Sequence, residues 1–218
     1  MRVLGIIPAR AGSKRLPGKN LLRLGGKALW EIALDQALEA GLTPIISTDI
    51  ESVLASEPLA QERPSNLCQD GTPIEQVVEY VLSSLDHHKF DGFVLLNPTH
   101  PLRRVEDIKL SAHALESFPS CTGVRKDWSY TIDEGVRFNT LNEQTRVPRL
   151  VVTGGIYAVR IPAFLERKKL MITGNVNRGT YHIERGPHVD VNTYSDFLMA
   201  KGIYEDKKDP LREVLTGE

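Results

Sequence analysis

The stretch from Val3 to Asn20 constrains this chain more than any other. Val3 to Ile7 is a short apolar run with the length and composition of a buried strand, and it breaks at Pro8 into a segment rich in glycine and charge. Residues 9–20 read ARAGSKRLPGKN, with two glycines, a serine and four cations. Gly12 lets the backbone approach a ligand and turn its N–H groups inward. Ser13 adds a hydroxyl donor, and Arg10, Lys14, Arg15 and Lys19 supply charge for a polyanion. A strand feeding such a loop, with a helix after it, is the setting of a phosphate site, and a triphosphate is the ligand that suits it. The competing reading is a solvated basic loop. No Gly-Lys-Ser/Thr closes a Walker spacing and no GxGxxG is present, so kinase and dinucleotide readings lose ground.

The remaining bulk features narrow the class. Lys and Arg number 27 against 28 Asp and Glu, a net charge of −1, so no global basic field points to nucleic acid or an anionic membrane. Cys68 and Cys121 stand far apart and outside any CxxC spacing, which argues against a disulfide framework or a zinc site and for a reducing compartment. Met1 opens no charged-then-apolar leader and no run of about 18 apolar residues occurs, so the expectation is a cytoplasmic protein without membrane insertion. At 218 residues the chain suits one domain over 1–218.

Along the chain, Leu29, Ile32, Ala33, Gln36, Ala37 and Ala40 fall on helical spacing, with Gly41 as a stop. Pro44 to Thr48 reads as a strand, and the Asp49 that follows either faces a ligand at the strand's carboxyl end or caps the next short helix. Glu62 to Pro73 is a polar loop in which Thr72 or a neighbour can cap a helix over 74–85. Phe93 to Leu96 is a buried strand ending in Asn97-Pro98-Thr99-His100-Pro101-Leu102-Arg103, where two prolines present the intervening side chains rigidly. His100 is there either as a base or as a structural hydrogen-bonding residue. A helix over 105–117 and a strand over 121–124 follow. From about 125 to 150 periodicity fades around Trp128, Tyr130 and Phe138, which reads as an excursion from the sheet. Residues 153–159 return to a strand, and a final helix spans about 193–203, with Asp196 at its start.

The motif Pro8, Ala9, Arg10, Gly12, Ser13, Lys14, Pro17, Lys19 and Asn20 resembles the N-terminal signature of the acylneuraminate cytidylyltransferases, and Arg15 to Lys19 is closer to the related CMP-KDO synthetases. Asn97 to Arg103 is similar to that family's Gln-Pro-Thr-Ser-Pro-Leu-Arg, with Asn97 and His100 as departures. HVDVNTYSD, residues 188–196, resembles its Asp-x-Asp-Thr-x-x-Asp-Phe, with Asn192 in place of the second carboxylate, and Thr153 stands where Asn is usual.

The resemblance implies an α/β fold: a Rossmann-like, mostly parallel nucleotidyltransferase sheet with helices on both faces and an excursion at 125–150 for acceptor binding and a homodimer contact. It implies transfer of CMP from CTP to a 2-keto-3-deoxy sugar acid of the sialic type. Alternatives are the same chemistry on KDO or a phosphonate, or a nucleotide binder without turnover. Catalysis would fall to Arg10, Lys19 and Asp190. Nucleotide contacts would come from Ala9, Arg10, Gly12, Ser13, Lys14, Arg15, Lys19, Asn20, Arg63 and Thr72, with Arg63 alternatively just solvated. Acceptor contacts would come from Asn97, Thr99, His100, Arg103, Thr153, Gly154 and Arg146, the last either a carboxylate clamp or a surface arginine. Asp190 and Asn192 would hold Mg2+, an amide oxygen being able to ligate it with less charge to offset; Asp190 as a loop or capping residue is the other reading.

Overall fold

The computed structural model describes residues 1–127, 149–172 and 178–206. Its strands are β1 (Val3–Ala9), β2 (Arg23–Leu24), β3 (Lys27–Ala28), β4 (Thr43–Thr48), β5 (Ala60–Glu62), β6 (Gly92–Leu96), β7 (Ser120–Asp127), β8 (Arg149–Arg160) and β9 (Thr180–Ile183). Its helices are α1 (Leu29–Glu39), α2 (Glu51–Ser56), α3 (Ile74–Ser83), α4 (Val105–His113), α5 (Ile161–Arg167) and α6 (Tyr194–Asp206). Seven strands form one sheet in the order β5-β4-β1-β6-β8-β7-β9, and β2 with β3 makes a separate two-stranded hairpin. β1 pairs in parallel with β4 and β6, β4 with β5, and β7 with β9; β8 runs antiparallel to both its neighbours, β6 and β7. This is the mostly parallel α/β sheet that the loop and its resemblance imply.

The continuous apolar run in β1 follows from burial on both faces. Val3, Ile7 and Ala9 pack with Val94 and Leu96 of β6 against Ala33 and Ala37 of α1 and Ile108 of α4. Leu4 and Ile6 join Phe93 and Leu95 against Val78 and Val81 of α3 and Phe164 of α5. The alternation is strict because successive side chains of a strand point to opposite faces. Phe93 and Phe164 meet edge to face with centroids 5.3 Å apart.

Several boundaries differ from expectation. β1 continues through Pro8 to Ala9; its pairing with β6 stops at Ile6, so beyond that point β1 is an edge on that side, a place where a missing proline donor is tolerated. The basic loop does not enter α1 directly. It closes in one 3-10 turn at Lys19–Leu21, entered through Gly18 at φ 65°, and the β2–β3 hairpin intervenes before α1. Gly41, at φ 77°, stops α1 as its position suggests.

α3 ends at Ser83, and its N-cap is Pro73 with no side-chain cap bond, so Thr72 does not cap it. Asp49 is no cap either, because Ile50 holds that position for α2. The helix expected over 105–117 tightens into a 3-10 turn at Ala114–Glu116. β7 and β8 extend into the expected excursion through the pairs Lys126↔Leu150 and Asp127↔Arg149. Trp128, Tyr130, Phe138 and Arg146 lie outside the described residues. Among the described residues no helix is long and apolar enough to cross a membrane.

Candidate functional site

Parallel sheets place ligands beyond the carboxyl ends of their strands. β1, β4 and β6 deliver the basic loop, Asp49 and the Asn97–Arg103 turn to that end. The loop is tied at its start: Asp49 Oδ1 accepts the Ala11 N–H at 2.7 Å, and Asn20 Nδ2 donates to the Arg10 carbonyl at 2.8 Å. Asn20 is buried, and its Oδ1 has no partner in a wall of the cavity it lines. A buried acceptor left open in this way is suited to an N–H or O–H of a ligand.

Two cavities of about 310 and 410 Å3 meet here and share Arg10, Lys19, Asp70 and Asn192 as a common wall. The second is otherwise lined by Ser13, Lys14, Arg15 and Leu16, so all four loop cations face one basin. Asp70 bridges two of them, Oδ1 to Arg10 at 2.5 Å and Oδ2 to Lys14 at 2.9 Å. Hydrogen bonds from Lys14 and Arg10 hold its carboxyl below the usual carboxylate range. Lys19 is half-buried, and burial lowers its ammonium from the ordinary lysine value while nearby Asp190 opposes the shift. Arg15 and Lys19 both donate to Asn192 Oδ1, at 2.9 and 3.3 Å.

The first cavity brings together residues far apart in sequence. Thr72, Asn97, Thr99, His100, Gly154 and Asp190 line it, above an apolar floor of Leu67, Ile74 and Val77. Arg63 lines it too, and it is not a solvated loop arginine: only 5 % exposed, it donates to the Ser47 carbonyl at 2.7 Å and to Ser47 Oγ at 3.2 Å. Asn97 Nδ2 donates to the Gly154 carbonyl at 2.9 Å.

His100 is 7 % exposed, and burial pushes its imidazole down to about 4, so the ring is neutral. Its Nε2 lies 2.8 Å from the Thr153 carbonyl, which can only accept, so Nε2 carries the hydrogen and Nδ1 carries the lone pair. Nδ1 faces Thr99 Oγ1 at 3.1 Å and Asp190 Oδ1 at 3.8 Å.

Arg103 and Thr153, expected at the acceptor, line neither cavity. Arg103 is buried and donates to Gln36 Oε1 and to the carbonyls of Asn97 and Gly155, so its role here is to fasten the turn to α1 and β8. Thr153 Oγ1 engages Glu184 Oε1 at 2.5 Å and the Gly123 carbonyl at 3.2 Å. Ala9 is fully buried at the end of β1. Gly12 stands in open space, with nothing within 4 Å of where a Cβ would sit.

For a divalent cation, Asp190 is an exposed carboxylate lining the first cavity, next to Asn192 of the shared wall. Asn192 is turned away from that duty: its Oδ1 serves Arg15 and Lys19 while its Nδ2 donates to Asp190 Oδ2 at 2.5 Å. Among the described residues no three His, Cys, Asp or Glu side chains gather as a metal cage. A magnesium site of one protein carboxylate completed by substrate phosphates and water fits this donor set; a two-ligand Asp190–Asn192 site does not. Asp196 accepts the N–H groups of Asn192 and Thr193 and so starts α6.

Glu184, and the pairing of Asp70 with the loop cations, were not legible from the sequence. Asp70 had a signal in its Asp-Gly turn beside the basic loop, but Glu184 sits in a segment with no strand pattern strong enough to place it.

A parallel sheet whose carboxyl edge carries a four-cation basin opening into a second, mixed cavity defines a nucleotide-handling α/β protein. Residues 4–148 match the family model described as Cytidylyltransferase, and the chain belongs to that family. It is 37 % identical over 127 residues to the CMP-N,N'-diacetyllegionaminic acid synthase of Legionella pneumophila, covering 53 % of this chain and 53 % of that protein. It is 27 % identical over 225 residues to an N-acylneuraminate cytidylyltransferase of Streptococcus agalactiae, covering 93 % of this chain and 53 % of that one. The chain thus spans about half the length of the curated relatives it matches. In fold it is similar to a CMP:2-keto-3-deoxy-manno-octonic acid synthetase solved with CTP, with a TM-score of 0.70, 19 % identity, and 95 % of this chain and 100 % of that one covered.

Proposed function

We propose that the chain transfers CMP from CTP to the anomeric hydroxyl of a 2-keto-3-deoxy sugar acid of the sialic, nonulosonic type, releasing pyrophosphate. The observation that carries this reading is the wall that Arg10 and Lys19 form between the cationic basin and the mixed cavity. A triphosphate seated in the basin brings its α-phosphorus to that wall, and an acceptor in the mixed cavity faces it from the other side. Attack on so anionic a centre is controlled by positioning and electrostatics. Lys19 and Arg10 neutralise charge at the α-phosphate and the leaving group, and Ser13, Lys14 and Arg15 receive the outer phosphates. Arg63, Thr72 and the open Asn20 Oδ1 serve the nucleoside, with Leu67, Ile74 and Val77 beneath it. Asn97, Thr99 and the Gly154 backbone receive the sugar acid, and the His100 ring lines the same cavity. Magnesium held at Asp190 would orient the triphosphate and stabilise the attacking oxygen. The similarity to a CMP-N,N'-diacetyllegionaminic acid synthase and an N-acylneuraminate cytidylyltransferase supports the acceptor class. A homodimer in the cytoplasm completes the reading.

The same chemistry on KDO is the second reading, favoured by the Arg15–Lys19 motif and by Asn97 and His100 in the acceptor wall. Both are tested by magnesium-dependent pyrophosphate release from each of the four nucleoside triphosphates with sialic, legionaminic, pseudaminic and KDO-type acids. Release with CTP and one nonulosonic acid is expected. Release with KDO alone selects the second reading, and CTP binding without release on any acid overturns both.

A further inference from the structure

We propose that His100 Nδ1 and Asp190 Oδ1 together ligate the divalent cation, making a mixed nitrogen–oxygen site that favours manganese-type ions over magnesium. The inference rests on the function proposed above, because the remaining ligands are phosphate oxygens of the bound nucleotide and water. Three observations converge on it. First, the ring is oriented as metal-bound histidines are: a ligating imidazole almost always donates its other N–H to a carbonyl or carboxylate that fixes tautomer and plane. His100 does so through Nε2 to the Thr153 carbonyl at 2.8 Å. Second, that anchor is itself fastened. Thr153 Oγ1 is bonded to the buried Glu184, and Glu184 fits only because residue 123 is glycine: a Cβ there would lie 1.8 Å from Glu184 Oε1.

Third, the lone pair on Nδ1 faces Asp190 Oδ1 at 3.8 Å, two acceptors opposed across the cavity. Among the described residues, the Thr99 hydroxyl, 3.1 Å from Nδ1, supplies the proton there. Cis ligands each about 2.1 Å from one octahedral ion stand about 3.0 Å apart. A small rotation of the half-exposed Asp190 side chain closes the difference, with the Thr99 hydroxyl swinging aside. The site also explains how the chain manages with Asn192. The amide is committed to Arg15 and Lys19, and the second ligand comes instead from the turn after β6. An imidazole nitrogen added to a carboxylate moves preference from hard magnesium toward first-row transition ions.

The test uses the whole chain labelled with 15N-histidine and loaded with CTP and Mn2+. Pulsed electron paramagnetic resonance reads directly whether a nitrogen is bound to the ion, without any turnover. Nitrogen coupling in the native protein that disappears in His100→Gln is the expected result, with Mn2+ affinity falling at least about tenfold and Mg2+ affinity falling less. Bound Mn2+ with an oxygen-only sphere, nitrogen coupling that survives His100→Gln, or no Mn2+ bound beside bound CTP overturns the site and leaves the transferase reading standing. Absence of CTP binding as well overturns both. The native-protein spectrum decides the matter even if the variant folds poorly.

Discussion

Lys19 carries the sharpest consequence at the scale of single residues. It is half-buried between the two cavities and bonded to Asn192 and to the Val191 carbonyl, so its ammonium is preorganised. Lys19→Ala should remove about 2.7 kcal/mol or more of transition-state stabilisation, on the scale of one preorganised donor. Steady-state kcat/KM with CTP should fall about a hundredfold; near-normal turnover would remove Lys19 from its role. Glu184 makes a different prediction. Burial raises its carboxyl above the ordinary value of 4.5, so the folded chain keeps this proton to higher pH than the unfolded chain does. Below 4.5 the group is protonated in both states and contributes nothing; as pH rises past it, the unfolded state ionises first and stability falls. Urea unfolding across pH 4 to 8 should therefore show Glu184→Gln losing less stability with rising pH than the native chain, and parallel curves would refute this. The sequence displayed Lys19 because the other loop cations, Arg10, Lys14 and Arg15, stand within about nine residues of it in one motif, although its bonding partners Val191 and Asn192 lie 172 and 173 residues away. It concealed Glu184 and the pairing of Asp70 with Arg10 because those partners are 31 and 60 residues distant and met only on folding.

At the scale of elements, α5 and α6 show how supports reach the site. Phe164 is fully buried against Phe93, and Phe164→Ala should cost about 3–5 kcal/mol through lost transfer and the cavity left behind, measured by denaturant unfolding. α6 begins with a reciprocal cap: Thr193 Oγ1 accepts the Asp196 N–H at 3.3 Å and Asp196 accepts the Thr193 and Asn192 N–H groups. Thr193→Ala should cost about 1 kcal/mol in the same assay. β1, α1, β4 and β6 were legible because strand and helix periods are local. α5 and β9 were not: Ile161–Arg167 is barely two turns, and Thr180–Ile183 alternates only weakly between half-buried and exposed residues. The reversal of β8 was also hidden, since direction within a sheet is a property of pairing and not of composition.

Over the whole molecule the net charge is −1, yet four cations converge on one basin, so the attraction for a polyanion is local and open to solvent. Raising ionic strength from about 0.05 to 0.5 M shortens the screening length severalfold. The KM for CTP should rise with salt while kcat changes little, and a salt-independent KM would show that the basin does not gather the triphosphate. The reversed strand β8 has a consequence of its own. Because it runs against β6, with Ile156 opposite Leu96, its interior stands beside the turn that leaves β6, and the Gly154 carbonyl accepts the Asn97 side chain there, where the register of β8 with β7 shifts. The mixed cavity is thus tied to the sheet through β8, whereas the cationic basin beside it is hung on loops and ion pairs. On the proposed function, the acceptor meets side chains of the turn after β6 that are held against β8, and the phosphates meet a loop held by ion pairs, so acceptor choice should follow changes at Asn97 and Thr99 and phosphate affinity should follow changes at the loop cations.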